Sequence, residues 1–310
     1  VKRTAGGRWA RLLTEQRNPR SRDLDRLPTA RVVALLLDED RRALVAAGRA
    51  RAALSRGARL IAHSLEHGRD VVFLGAGTSG RLGVLEAAEC PPTFGSDPRR
   101  IRAVMAGGKE SVFRSREGAE DRDDHGRREG GRLRRGDVLV GISASSVTPF
   151  VRAALRAARA RRASTVLVTC APSPGLRALA DVVVAIRSGP EVLTGSTRLK
   201  AGSATKAALN ALTTAAMVRL GKAYENLMVD LRPTSAKLVD RSRRIVAGAA
   251  RVDPGTAARL LAEAGGDVKT AIVMGRLGVD AATARRRLRA ARGHVRRALA
   301  QDRSLLRLIR

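Results

Sequence analysis

Two hydroxyl-rich turns carry the residues best suited to chemistry in this chain. Gly75-Ala76-Gly77-Thr78-Ser79-Gly80 follows a β-branched run at 71–74, and Arg81-Leu82-Gly83-Val84-Leu85 then reads as the start of a helix. G-x-G-x-x-G between a strand and a helix is the dinucleotide fingerprint, and alone it is a weak signal. Two details favour a phosphomonoester instead. Thr78 and Ser79 set hydroxyls beside the free N–H groups of a helix start, where a terminal phosphate collects many hydrogen bonds. The next apolar run ends in Met105-Ala106-Gly107-Gly108, with no acid placed for a ribose hydroxyl. A second turn, Ser143-Ala144-Ser145-Ser146-Val147-Thr148-Pro149, follows the run 137–142 in the same way. Either turn alone is accounted for as a helix cap, since Ser and Thr are ordinary N-cap residues. Two of them at the carboxyl ends of parallel strands can converge on one ligand.

The acids nearby could move protons. Glu89 stands in Glu86-Ala87-Ala88-Glu89-Cys90-Pro91-Pro92-Thr93. The two prolines are expected to stop the helix, leaving Glu89 at a C-terminus whose dipole disfavours a negative charge. A carboxyl so placed has reason to hold a proton, as a general acid must. Glu117 and Glu120 fall in Arg116-Glu117-Gly118-Ala119-Glu120-Asp121, an acidic run whose spacing alone reads as a solvated face. One carboxyl donating a proton and another removing one suits elimination, isomerisation or hydrolysis of a sugar. Spacing does not choose among these. His63-Ser64-Leu65-Glu66-His67 has the H-x-x-E-H spacing of one metallopeptidase class, but no third ligand is evident, so it reads as a surface pair. His125 and His294 are isolated, and there is no nucleophile elbow or Walker loop. Neither metal catalysis nor acyl transfer is supported, and no metal or cofactor is expected.

The elements that must position these groups follow from periodicity. Residues 31–69 repeat their apolar positions at helical spacing, after a polar stretch at 1–30 that reads as an extended arm or short helices. Short β-branched runs then appear at 71–74, 101–105, 137–142, 165–170 and 182–186, separated by segments long enough for helical crossovers. That alternation predicts an α/β sandwich around a parallel sheet. Beyond 200 no strand signal appears: helices are expected at 200–221 and 233–248, and several short ones over 254–300. The expected organisation is an arm with helices at 1–49, a catalytic α/β domain at 50–222, a connecting helix at 223–249, a helical domain at 250–300 and a basic tail at 301–310.

Composition bounds the setting. The 310 residues suffice for roughly two domains, and 44% hydrophobic content is too high for wholesale disorder. Charges interrupt every apolar stretch, so no membrane partner is expected. The N-terminus offers no apolar signal core, and two cysteines, Cys90 and Cys170, make no disulfide scaffold, which suits a cytoplasmic location. Sixty Lys and Arg, 53 of them Arg, against 29 Asp and Glu leave a net charge of +31. Single-strand binders interleave aromatics with basic residues, yet only six aromatics occur here and they are scattered, Trp9 alone lying among arginines. The charge therefore reads as solvated helix faces, with no specific nucleic-acid partner, although the ten Arg of 285–310 would attract polyanions non-specifically.

The motifs taken together resemble the N-acetylmuramic acid 6-phosphate etherases, which are built on the sugar-isomerase (SIS) fold. The resemblance rests on Thr14-Glu15-Gln16-Arg17-Asn18-Pro19, on GAGTSGRLGVLEAAECPPTFG at 75–95 and on EGAED at 117–121. TGSTRLKAGSATKAALN at 194–210, Asn226-Leu227-Met228-Val229-Asp230 and Lys269-Thr270-Ala271-Ile272-Val273-Met274 extend it over about 12–300. It implies a three-layer sandwich with a five-stranded parallel sheet, and a small C-terminal helical domain like a ubiquitin-associated domain. It also implies a homodimer acting on a small amino-sugar phosphate in peptidoglycan recycling, without cofactor. The implied reaction opens the lactyl ether at C3 by elimination and hydration, giving N-acetylglucosamine 6-phosphate and D-lactate. By motif, Glu89 resembles the acid that protonates lactate, and Glu120 the base at C2. Gly77, Thr78, Ser79, Ser143, Ser145, Ser146, Thr148, Glu191, Ser196 and Lys200 are implied at the substrate and its phosphate.

Three departures stand out. Where the family reads Ala-Ser-Gly-Arg-Thr-Pro, this chain has Ser146 and Val147 for the Gly and the Arg, which implies altered recognition at the phosphate end. Thr205 replaces a usual Gln, and Glu225 a usual Gly. A non-catalytic sugar-phosphate sensor is the alternative; the retained Glu89 and Glu120 favour catalysis. An SIS-type ketose/aldose isomerase is disfavoured by the ECPPT and EGAED strings.

Overall fold

The computed structural model describes residues 12–231 and 235–305, with side chains described through 300. Residues 1–11 of the arm with Trp9, the 233–234 start of one expected helix and the end of the basic tail lie outside them. No helix among the described residues is long and apolar enough to cross a membrane.

The chain divides into two compact units. The first comprises the residues up to 88 together with 98–214. After three single turns of 3-10 helix between Leu13 and Arg26 come α1 (Thr29–Arg49) and α2 (Arg51–Glu66), parted at Ala50. Strand β1 (Val71–Gly75) leads into α3 (Gly77–Phe94), and β2 (Ile101–Met105) follows. A loop with two more single turns precedes α4 (Asp123–Gly131), then β3 (Val138–Ile142), α5 (Pro149–Ala160), β4 (Ser164–Thr169), β5 (Val182–Ala185) and α6 (Lys200–Arg219). The five strands are parallel in the order β2-β1-β3-β4-β5, the fold class that alternating apolar runs had implied. Every residue of β1 and β3 is buried, because helices cover both faces of such a sheet. On one face Val72, Leu74, Leu139 and Leu167 pack with Phe150, Val151, Ala154 and Leu155 of α5. On the other, Gly57 of α2 fits between Leu212 of α6 and Val166 of β4, and Gly83 of α3 sits against Phe73 and Ile142.

The second unit comprises 89–97 and the residues from 215 onward. Its helices are α7 (Ala236–Ala250), α8 (Pro254–Glu263), α9 (Val268–Leu277), α10 (Ala281–Ala290) and α11 (Val295–Leu305). Val246, Ile272, Val273, Ala257 and Ala284 form the centre of their core. The same device starts three of them: Asp253, Asp267 and Asp280 each accept the N–H of a threonine three residues on. Those bonds hold the Asp253 and Asp280 carboxyls below their usual range.

The connecting helix expected at 223–249 begins only at Ala236, and an unforeseen element precedes it. Ala223–Tyr224 (β6) and Leu227–Met228 (β7) form a two-stranded antiparallel hairpin, too short to give a periodic signal. Its turn begins at Glu225 with φ 55°, a left-handed position that such hairpin turns reserve for glycine. That explains why glycine is usual there, and it makes Glu225 a strained residue. Among the described residues its one ion pair is a loose contact of 4.0 Å with the exposed Arg296. Glu225→Gly should therefore stabilise this unit by about 1 kcal/mol. A higher urea midpoint with an unchanged slope is the expected reading; a lower midpoint would show that the side chain matters more than the strain.

Candidate active site

The strand order places the two hydroxyl turns side by side. The chain leaves β1 to form β2 on one flank and returns to form β3 on the other, so the order reverses between β1 and β3. Open parallel sheets bind ligands at this switch point, beyond the carboxyl ends of the strands. Gly75 is in register with Ile142, so both turns leave neighbouring strands at the same level.

The first turn owes its shape to backbone contact. A Cβ on Gly75 would lie 2.8 Å from the Gly80 nitrogen, and one on Gly80 would lie 2.6 Å from the Gly75 carbonyl. Only glycine at both ends lets the strand run this closely past the helix it feeds. Gly77 has φ 53°, which turns the chain into α3. The first helical bond is Gly80 N–H to the Ala76 carbonyl at 3.1 Å, which leaves the N–H groups of Gly77, Thr78 and Ser79 at the helix entrance, where an anion can be bound. Arg81 points elsewhere: its guanidinium donates to the carbonyls of Ser111 and Val112 and fixes the loop after β2.

The second turn is wired differently from expectation. Ser143 and Thr148 share a hydrogen bond of 2.8 Å, and the Ser145 hydroxyl accepts the Val147 N–H at 3.4 Å. Ser146 is 1% exposed, and its hydroxyl meets the Ala171 carbonyl at 2.9 Å and the Ser173 hydroxyl at 3.0 Å. The Ser173 N–H also donates to it. Its side chain is thus tied to the next loop instead of facing a ligand, and its φ of 64° shows why glycine is usual there. Arg152, one turn into α5, donates to the Ser146 carbonyl at 3.1 Å. A guanidinium therefore serves this turn although position 147 is Val, and only folding could show it.

The acids diverge. Pro91 and Pro92 do not stop α3, which runs on to Phe94. Proline accepts helical φ, and Gly95 N–H still reaches the Pro91 carbonyl at 2.9 Å. Glu89 is therefore an exposed residue inside the helix, beyond the last turn where the dipole acts. Glu120 is exposed on the 3-10 turn Ala119–Asp121, after a left-handed Gly118, on the loop that leaves β2 at the same sheet edge as the hydroxyl turns. His67 bonds the His63 carbonyl through Nδ1 at 2.8 Å, and the two rings lie 4.2 Å apart.

Ser196, Glu191 and Lys200, all implied at the substrate, separate by burial. Ser196 is half-buried in the turn that leads into α6, whose Gly202 approaches Thr78: a Cβ there would lie 3.8 Å from the Thr78 methyl. Glu191 is 1% exposed, and its carboxylate caps α6 by accepting the N–H groups of Lys200 and Ala201. Burial outweighs those bonds and pushes its carboxyl up. Nearby, burial also raises the Cys170 thiol to about 11. Lys200 is 3% exposed, and its ammonium is paired with Glu39, turned into the protein instead of toward a phosphate.

Glu39 was not foreseen. Its carboxylate holds Lys200 Nζ, Asn18 Nδ2 at 2.9 Å and Arg20 at 2.7 Å. Burial raises its pKa, but the bonds to Lys200 and Arg20 prevail and hold it below the usual range. One signal was available: Glu39, Ala43, Ala46 and Ala47 form the buried stripe of α1, where an acid is out of place.

Comparison with known proteins adds the following. Residues 53–159 match the N-terminal SIS domain of glucokinase regulatory protein, and 121–215 match the SIS domain. The N-acetylmuramic acid 6-phosphate etherase of Parasynechococcus marenigrum is 48% identical over 263 residues, which cover 84% of this chain and 83% of that protein. Those of Symbiobacterium thermophilum (48%, covering 84% and 88%) and Rubrobacter xylanophilus (47%, covering 86% and 89%) are similarly close.

Glu39→Gln should leave the Lys200 ammonium buried without a countercharge and cost about 3–5 kcal/mol of stability. Because the folded pKa of Glu39 lies below the unfolded one, its contribution is full above the unfolded value of about 4.5 and fades as pH falls through the folded value. Denaturation midpoints of the two proteins should therefore differ most near neutrality and converge on acidification. A constant difference across that range would exclude the ion pair as the source.

Proposed function

The chain belongs to the N-acetylmuramic acid 6-phosphate etherase family, and from that membership we propose how its own residues divide the work. The enzyme is a carbon–oxygen lyase that opens the C3 lactyl ether of N-acetylmuramic acid 6-phosphate by elimination and then hydration. The products are N-acetylglucosamine 6-phosphate and D-lactate. The observation that carries the assignment of parts is the pair of hydroxyl turns flanking the β1/β3 switch point.

The phosphate sits on the first turn of α3, held by the N–H groups of Gly77, Thr78 and Ser79 and the hydroxyls of Thr78 and Ser79. The Ser143–Thr148 pair and Ser145 close the second side, and Ser196 the third. Ser146, Glu191 and Lys200 act one step back, holding the turn and the start of α6 in place. In the open-chain sugar the aldehyde makes the C2 proton acidic. Glu120 removes it, the electrons form the C2–C3 double bond, and the C3–O bond breaks as Glu89 protonates the departing lactate. Glu89 then takes a proton from water as its oxygen adds to C3, and C2 recovers a proton from Glu120. Nothing favours the non-catalytic sensor, since these relatives all carry an enzyme's name.

A homodimer is part of this reading. Glu89 lies twelve residues beyond Gly77, ~18 Å along the helix axis, which exceeds the reach of a hexose 6-phosphate held on the loop. A second chain supplying Glu89 resolves the distance. The exposed Val33 (48%), Leu37 (65%) and Leu44 (46%) form an apolar stripe on α1 that supports self-association. A cytoplasmic setting fits two free, buried cysteines.

Incubation with N-acetylmuramic acid 6-phosphate should release D-lactate, and in H2(18)O the label should enter at C3. Intact binding without lactate at high enzyme concentration would overturn the catalytic reading. Glu89→Gln and Glu120→Gln should each abolish turnover. Mixing the two inactive variants under subunit exchange should restore about a quarter of wild-type activity, because half the dimers are mixed and each holds one intact site. No recovery would place both carboxyls in one chain.

A further inference from the structure

A cleft of about 650 Å³ opens in the first unit, lined by none of the residues of the hydroxyl turns. Its walls are the 18–20 segment, α1 and the 187–190 loop that follows β5. Arg20, Arg41, Arg42, Arg49, Arg187 and Lys200 line it, and the only acid among the lining residues is Glu39. Asp38 at the rim approaches Arg20 and Arg41 at 3.6 and 3.9 Å. Six cations thus converge on a concavity with at most two carboxylates to answer them.

The balance is uneven within the cleft. Glu39 already serves Lys200, Arg20 and, at 3.7 Å, Arg42. Arg49 and Arg187 are exposed and have no carboxylate within ion-pair distance among the described residues. They come from different elements, the end of α1 and the loop after β5, and line the same space. A surface coated with arginine by composition spreads its charges apart to lower their repulsion; two unanswered guanidiniums on one concavity are the arrangement an anion relieves. Guanidinium forks match phosphate oxygens bidentately. The volume lies in the range that holds small metabolites.

We propose that this cleft is a second anion site, taking a small molecule through a phosphate or diphosphate group, with Arg49 and Arg187 as its principal ligands. The site is separate from the substrate turns and does not depend on the etherase assignment. It shares a wall with them, since Lys200 opens the helix whose Gly202 adjoins Thr78. An anion that drew Arg20 or Lys200 from Glu39 would therefore reach the start of α6, which borders the phosphate turn.

Calorimetric titration with inorganic pyrophosphate at ~0.15 M ionic strength, where surface charge is largely screened, tests this. The wild type should bind two equivalents per chain. Arg49→Gln/Arg187→Gln should lose at least about tenfold in affinity at one of them, the loss of charge-assisted bonds worth at least 1.4 kcal/mol. Thr78→Val/Ser79→Ala should lose the other equivalent and keep this one. The same titration with N-acetylglucosamine 6-phosphate distinguishes a sugar phosphate from a free diphosphate as occupant. A single equivalent in the wild type that disappears in the Thr78/Ser79 variant would overturn the proposal. So would two equivalents with affinities within twofold of wild type in the arginine variant.

Discussion

One buried carboxylate holds together the parts of the first unit that local sequence does not join. Glu39 lies on α1, Asn18 and Arg20 on the preceding arm, and Lys200 at the first turn of α6. Asn18 also donates to the Pro190 carbonyl, so the loop before α6 joins the same knot. Glu191 then caps α6 with its own buried carboxylate. A buried ion pair is a poor source of net stability but an effective specifier of geometry, because any other arrangement leaves a charge without its partner. What it specifies here is where α6 begins, and the start of α6 borders Thr78. The first hydroxyl turn thus borders a network with which it shares no residue.

Two departures from the family pattern acquire a common meaning in the folded chain. Ser146 and Glu225 both stand where glycine is usual, and both keep a left-handed backbone. The fold has held its turns and accepted the steric cost of a Cβ, of the order of 1–2 kcal/mol per position. Ser146 recovers part of that through a hydroxyl bonded to Ala171 and Ser173, whereas Glu225 makes no comparable bond. The third departure is milder: Thr205 is buried beside the Cys170 thiol, within 3.5 Å of it. The position 147 change reads differently as well, since Arg152 brings a guanidinium to the same turn from within α5.

The large positive charge divides once side chains are placed. Much of it is answered locally, by pairs such as Arg122–Asp124, Arg244–Asp240 and Arg259–Glu263 on exposed helix faces, each worth little to stability. Some is structural, as with Lys222 and Lys269 on Asp230 in the helical unit. A smaller part converges on the cleft beside α1, where the acids do not suffice. Composition could report the total of +31 but not this partition, because sign and number carry no information about convergence.

The sequence by itself determined the parallel sheet, since buried β-branched runs separated by crossover-length segments have one common solution. It also determined the two hydroxyl turns, whose glycines and serines are dictated by local backbone geometry. It singled out Glu89 and Glu120 as candidates but misjudged the setting of Glu89, because two prolines that usually end a helix can also lie within one when φ is already helical. Only tertiary structure decided which hydroxyls remain available and which charges are already paired. Ser146, Glu191 and Lys200 carry the residue types of ligand-binding groups, and each has a protein partner that lies far away in sequence or across a loop. Hydrogen-bond partners depend on distance in space, and no periodicity encodes that.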